Sequence, residues 1–175
     1  MEGFQPFNFF KLVEELKEKG ELQPPVGNKL LFSKGEFKVM VVGGPNTRTD
    51  FHWECGEEWF FQIQGKLRLR TKKKEDAPIE DIILTDGDMY LLPPRVYHSP
   101  QREEGSVGIV IERERGAQED HDKLCWFCQD CGQKLYEETF HCTDLGSQLA
   151  PVIKKYYSDE KLRTCKACGW VEPAP

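Results

Sequence analysis

Three features of this 175-residue chain point to an all-β protein of the jelly-roll barrel type, led by one helix and closed by a metal-binding extension. Between residues 29 and 115, short β-favouring runs recur one after another. Turn signals separate them at short intervals, which suits an antiparallel barrel or jelly roll rather than βαβ units. Beyond residue 115 the composition changes, and cysteine pairs appear.

The elements follow in chain order. Phe9, Leu12, Val13 and Leu16 share one helical face over residues 8–19, with Asn8 as the cap, Gly20 as the stop and Pro24-Pro25 barring continuation. This region, residues 1–28, is an amphipathic helix and loop covering a core. The barrel, residues 29–115, contains about eight expected strands: KLLF, EFKVMVV, DFHWE, EWFFQIQ, KLRLRT, IEDIILT, DMYLLP and VGIVIERE. The charged stretch Lys72–Asp76 reads as a turn, with Lys72–Lys74 a solvated hairpin tip. After Arg115 the polar GAQEDHD serves as a linker into the extension, residues 116–175. There Ser147 is expected to cap a helix running to about Tyr157, with Pro151 in its first turn, where a missing N–H costs little. The extension is expected to have little core of its own.

Composition narrows the function. Charged residues make up 31% and hydrophobic ones 38%, so the chain is neither disordered nor fibrous. No apolar run approaches the ~18 residues of a membrane span, and the first twenty residues lack the features of a secretory signal. A formal net charge of −6 disfavours nucleic-acid partners, whose phosphates bind through Lys and Arg. Seven cysteines, mostly clustered and partly in CxxC pairs, read as metal binding in a reducing, cytoplasmic setting rather than as a disulfide scaffold.

Two stretches carry the chemistry. In Gly44-x5-Asp50-Phe51-His52-x5-Glu58-x6-Gly65, His52 ends one expected strand and Glu58 starts the next, so the two are expected to face each other across a hairpin. In Gly87-x5-Pro93-x4-His98, a second imidazole follows a strand ending at Leu92. Two imidazoles and a carboxylate on one face leave cis positions open on an octahedral ion, which suits non-haem Fe(II) with O2 and a bidentate substrate. Glu57 is the competing carboxylate; Glu58 is preferred because it alone sets E-x6-G with Gly65.

These stretches resemble the paired motifs of the cupin superfamily, G-x5-H-x-H-x3-4-E-x6-G and G-x5-P-x-G-x2-H-x3-N. Asp50 replaces the first His, Arg95 the Gly and Arg102 the final Asn, and the His52-to-Glu58 gap is one residue longer. Along nearly the whole chain the sequence resembles the single-cupin 3-hydroxyanthranilate 3,4-dioxygenases. The resemblance rests on PPVGN (24–28), VVGGPNTRTDFH (41–52), EEWFFQ (57–62), DGDMYLLPPRVYHSPQR (86–102), GIVIERER (108–115), WFCQDCG (126–132) and TCKACG (164–169).

The resemblance implies O2-dependent opening of the 3-hydroxyanthranilate ring to 2-amino-3-carboxymuconate semialdehyde, on the route from tryptophan to quinolinate and NAD. It further implies Fe(II) on His52, Glu58 and His98, with substrate chelating through hydroxyl and amino groups. Ferrous iron, one glutamate and one phenolate sum to zero charge, which a dry pocket tolerates best. Arg48 and Arg102, four residues before His52 and four after His98, are implied to bind the substrate carboxylate through their planar forks. Glu112 is implied at the hydroxyl and amino edge, where it can accept a proton; the bland alternative is a strand-end Glu paired with Arg113 or Arg115 in solvent. Asn28 and Asp50 are expected to orient Arg48 or the ligands, and Phe60, Pro100 and more weakly Val26 to form walls. Homodimer formation is implied as well.

Cys128-x2-Cys131-Gly132 and Cys165-x2-Cys168-Gly169 form two knuckles for one tetrahedral thiolate site holding a structural Zn or a second Fe. Cys125 offers an overlapping pair with Cys128, but Gly132 matching Gly169 favours Cys128 and Cys131; Cys55, Cys125 and Cys142 are left over. Against the dioxygenase reading stand a non-catalytic cupin that senses a small carboxylate and docks a partner through its tail, another cupin oxygenase or isomerase, and a nucleic-acid-binding zinc ribbon. Oxygen uptake with 3-hydroxyanthranilate separates the first of these from the enzyme.

Overall fold

A computed structural model describes residues 6–23, 27–32, 35–46, 48–116, 121–142 and 145–174, with the backbone alone for residues 145–147. The expectations for Pro24, Pro25 and Val26, and for the Ser147 side chain, fall outside the described residues.

Helix α1 (Phe9–Glu18) begins where Asn8 Oδ1 accepts the Lys11 N–H at 3.1 Å and stops before Gly20 at φ +69°. Its buried Val13 and Leu16, joined by Leu22, pack on Val41 and Val107 of the barrel wall. Burying such side chains contributes about 1.5–3 kcal/mol each.

Eleven strands follow among the described residues: β1 (Asn28–Phe32), β2 (Phe37–Gly43), β3 (Phe51–Trp53), β4 (Glu58–Gln64), β5 (Leu67–Lys72), β6 (Glu80–Leu84), β7 (Met89–Leu92), β8 (Tyr97–Arg102), β9 (Val107–Arg113), β10 (Asp122–Phe127) and β11 (Lys134–Phe140). They form two antiparallel sheets, β1-β2-β9-β4-β7 and β11-β10-β3-β8-β5-β6, the all-β cupin barrel. Strand alternation builds its interior: Glu58, Phe60 and Gln62 on β4 are buried, while Trp59, Phe61 and Ile63 between them are half-exposed. Met40, Phe60, Leu67, Leu69, Leu84, Leu92 and Val110 pack as one apolar cluster in the interior. Met40, Phe60 and Val110 of this cluster also border the polar residues of the site.

Several local expectations need correction. β3 and β4 are not a hairpin, since they lie in different sheets; His52 and Glu58 face each other across the interior instead. β7 ends at Leu92 as expected, but His98 lies on a further strand, β8, that was not expected, which the Pro93-Pro94 turn precedes and which even contains Pro100. Lys72 is not solvated: it is 3% exposed, and its ammonium sits 3.8 Å from the centre of the Phe127 ring.

The extension joins the barrel more closely than its composition suggests. β10 pairs with β3, placing Leu124 opposite His52, and Asp122, expected in a linker, is the buried first residue of β10. Helix α2 (Leu145–Ser158) starts before Ser147 and carries Pro151 inside it rather than in the first turn. It lies on β10 and β11, burying Leu124, Trp126, Leu149, Val152 and Tyr156; the Trp126 and Tyr156 rings stack at 4.1 Å. The extension therefore has a core, and a short helix α3 (Glu160–Arg163) leads to the last cysteine pair.

Candidate metal centre and substrate cleft

Strand pairing sets the site. β3 and β8 are neighbours, so His52 and His98 stand directly opposite each other with ring centres 5.2 Å apart. On the facing sheet, β4 and β9 place Glu58 opposite Glu112. All four are buried, at 8%, 2%, 7% and 1% exposure respectively. Buried charges of this kind persist only when paired, hydrogen-bonded or coordinating.

His98 Nδ1 lies 3.1 Å from the Val96 carbonyl, an acceptor only, so Nδ1 carries the proton and donates it. Nε2 stands 2.8 Å from Glu58 Oε2, within hydrogen-bonding distance of that carboxylate. Burial alone would lower the His98 pKa, but Glu58 and the Val96 hydrogen bond hold it above the ordinary value. Burial pushes the Glu58 carboxyl up, yet His98, His52 and Arg115 outweigh it and leave it below the usual range.

His52 is engaged by a residue that sequence reasoning missed. Its Nε2 lies 2.7 Å from Asp122 Oδ2, and Asp122 is held in turn by Arg115, through Nε at 3.0 Å and Nη2 at 2.7 Å. The same guanidinium reaches Glu54 Oε2 at 2.5 Å and Glu112 Oε1 at 2.6 Å, so one cation serves three buried carboxylates. Burial, with repulsion from Glu58 and Glu112, pushes the Glu54 carboxyl above the usual range, against the pull of Arg115. Glu112 is also raised, chiefly by burial and against the pull of Arg115. Glu112 pairs with Arg115 as the bland reading held, but deep inside the barrel rather than in solvent.

Among the described residues, two groups bring metal-ligating atoms within 4.8 Å of one another: the four cysteines, and Glu54 with Glu58 and Glu112. His52 is turned onto Asp122, so closing His52, Glu58 and His98 on one ion requires that ring to turn.

The residues expected at the substrate come together around one cleft, whose empty volume is about 750 Å³ with its open mouth included. Asn28, Arg48, His52, Glu58, Phe60, His98, Pro100 and Arg102 all line it, joined by Met40 and, from the extension, Leu149. Asp50 stands behind, its Oδ1 3.2 Å from Arg48 Nε, and Glu112 reaches the centre from β9 without lining the cleft. Asn46 ties the loop bearing Arg48 to β8 through its own amide on the Pro100 carbonyl, 2.7 Å, and a backbone bridge to Arg102.

At the far end of the extension the thiol sulfurs converge, Cys128 with Cys168 at 3.6 Å and Cys131 with Cys165 at 3.5 Å. Thiolates about 2.3 Å from a tetrahedral ion stand about 3.8 Å apart, so the set fits a closed metal site. Each knuckle turns at a glycine, Gly132 at φ +76° and Gly169 at φ +81°, whose N–H returns to the first Cys carbonyl. The backbone N–H groups of Cys168 and Ala167 bring the Cys165 thiol down to about 6, ready to ligate. Cys125 points elsewhere, to Glu137, and takes no part.

A buried histidine–carboxylate centre opening on an arginine-lined cleft within a two-sheet antiparallel barrel defines the class, a cupin. Comparison with known proteins specifies which one. Residues 1–157 match the family model described as 3-hydroxyanthranilic acid dioxygenase, and the chain belongs to that family. It is 46% identical over 170 residues to a 3-hydroxyanthranilate 3,4-dioxygenase of Xanthomonas campestris, covering 97% of this chain and 93% of that one. A Podospora anserina protein of the same name is 44% identical, with 95% and 89% covered. Among solved structures, protein NMB1881 of Neisseria meningitidis has a TM-score of 0.50 at 16% identity, covering 63% of this chain and all of that one, a likeness of fold alone. The chain is thus an enzyme of the 3-hydroxyanthranilic acid dioxygenase family.

Proposed function

We propose that His52, Glu58 and His98 hold the catalytic ferrous ion and that Arg48, Arg102 and Glu112 handle the substrate around it. The observation that carries this reading is the His98 ring: its Nδ1–H is committed to a carbonyl, which leaves Nε2, 2.8 Å from the buried Glu58 carboxylate, as the nitrogen for an ion shared with Glu58. Ferrous iron on that donor set would let an aminophenol ring and O2 bind side by side and exchange electrons. The chain's own residues do the rest. Arg102 and Arg48 take the substrate carboxylate, with Asp50 fixing the Arg48 guanidinium. Glu112, its pKa raised by burial, is suited to accept a proton from the substrate's hydroxyl or amino edge. Phe60 and Pro100 flank the ring, and Asn28 closes the cleft at β1.

Anaerobic loading of the protein with ferrous iron, then 3-hydroxyanthranilate and air, tests the reading. Oxygen uptake with growth of the ring-opened semialdehyde chromophore is expected, and His52→Ala should lose iron retention and turnover together. Full iron content and activity in that variant would remove His52 from the site.

Two further parts of the reading concern the whole protein. The thiolate cluster is assigned a structural Zn or second Fe, because four thiolates leave no coordination position for substrate. The outer face of the five-stranded sheet, with Phe37, Met89 and Leu91 at 49%, 63% and 51% exposure beside half-exposed Trp59 and Ile111, is suited to cover a second copy as a homodimer. Sedimentation should give a dimer that Leu91→Glu splits; a monomeric wild type rejects this assembly. Seven cysteines, none in a disulfide, accord with a reducing cytoplasm.

A further inference from the structure

Arg102 stands apart from the other charged groups of the centre. It is 6% exposed, and among the described residues its guanidinium forms no ion pair; its hydrogen-bond partner is the neutral Gln62, Nη1 to Oε1 at 3.1 Å. Burial lowers its pKa to about 10, so it stays charged at neutral pH. Gln62 is itself 1% exposed, and its Nε2 donates to the Gln64 carbonyl at 2.9 Å, which fixes the amide oxygen toward Arg102. The neighbouring strand leaves room where the two side chains meet: a Cβ on Gly108 would stand 3.1 Å from Arg102 Nη1 and 3.2 Å from Gln62 Oε1.

We propose that Gln62 is the positioning residue that aims Arg102 into the cleft while leaving its charge unspent, and so sets the enzyme's demand for a carboxylate on its substrate. The inference rests on the reading that Arg102 receives that carboxylate. A glutamate of the same shape would hold the guanidinium equally well but neutralise it, removing the attraction for an anionic ligand. An apolar residue would keep the charge and lose the aim. A neutral acceptor with its own oxygen fixed satisfies both needs, and the bare Gly108 lets it approach.

The experiment compares two probes on anaerobic, ferrous-loaded protein by equilibrium dialysis: anthranilate, which carries the carboxylate, and 2-aminophenol, which does not. Gln62→Glu should weaken anthranilate about 10–100-fold, the worth of one charge-assisted hydrogen bond, and leave 2-aminophenol within about 3-fold. Gln62→Leu should weaken anthranilate in the same selective way, and it serves if the glutamate variant does not fold. Equal loss of both probes, or no loss of anthranilate, overturns the assignment of Gln62. Arg102→Met separates the two levels. If it keeps anthranilate at wild-type affinity, the carboxylate reading falls and Gln62 with it; if it loses anthranilate while both Gln62 variants keep it, the Gln62 role alone falls.

Discussion

Arg115 is the residue on which the buried acids of the barrel depend. Its guanidinium meets Glu54, Glu112 and Asp122 within 2.5–3.0 Å while only 4% of its side chain is exposed. Removing one partner from such a network leaves uncompensated charge in a low-dielectric interior. Arg115→Met should therefore cost about 3–5 kcal/mol, read by equilibrium urea unfolding; a variant within 1 kcal/mol of wild type would contradict the network. The sequence made His52, Glu58 and His98 legible as candidates because each sits at a fixed offset from a turn-forming Gly or Pro, and the resemblance added Arg48 and Arg102, each four residues from a candidate ligand. Arg115, Asp122 and Glu54 carry no such mark. Glu54 and Arg115 lie just past the ends of β3 and β9 and Asp122 opens β10, places where a charge is normally solvated, and the pairing of β10 with β3 brings them inside instead.

Elements show the same division. The helix α1 was readable from spacing and caps because its determinants are local. β8 was not, since Pro100 and the preceding Pro-Pro weaken a strand signal that pairing with β5 and β3 overrides. Nor does sequence reveal that β3 and β4 part into different sheets across a turn of normal hairpin length. Arg95 in the turn before β8 adopts φ +63° where the related motif has Gly, and it donates its N–H to the Glu54 carbonyl at 2.8 Å. A left-handed L-residue is strained by about 1–2 kcal/mol, partly offset by the greater chain entropy that a glycine loses on folding. Arg95→Gly should hence raise stability by about 0.5–1 kcal/mol in urea, with no gain refuting the strain.

The barrel with its helix and its cysteine knuckles was legible as an architecture, because strand rhythm and CxxC spacing are local patterns. How the extension attaches was not, since sheet order is a long-range property that no short window encodes. Cys131→Ser should abolish metal binding at the proposed thiolate site and lower the unfolding free energy by several kcal/mol, followed by metal analysis, chelator titration and urea unfolding together. Unchanged stability after complete release would show that the knuckles do not support the extension.

β10 runs from Asp122, which touches the His52 ring, to Phe127, the residue before the first knuckle cysteine. The two ends of one six-residue strand thus join the candidate catalytic centre to the thiolate cluster. Oxidants or heavy metals that occupy the thiolates would slacken the ribbon whose first residue, Asp122, holds the His52 ring, about 20 Å from the knuckle at about 3.3 Å per extended residue. Oxidative damage to the tail would then surface as a catalytic defect, although no atom of the reaction lies near the sulfurs.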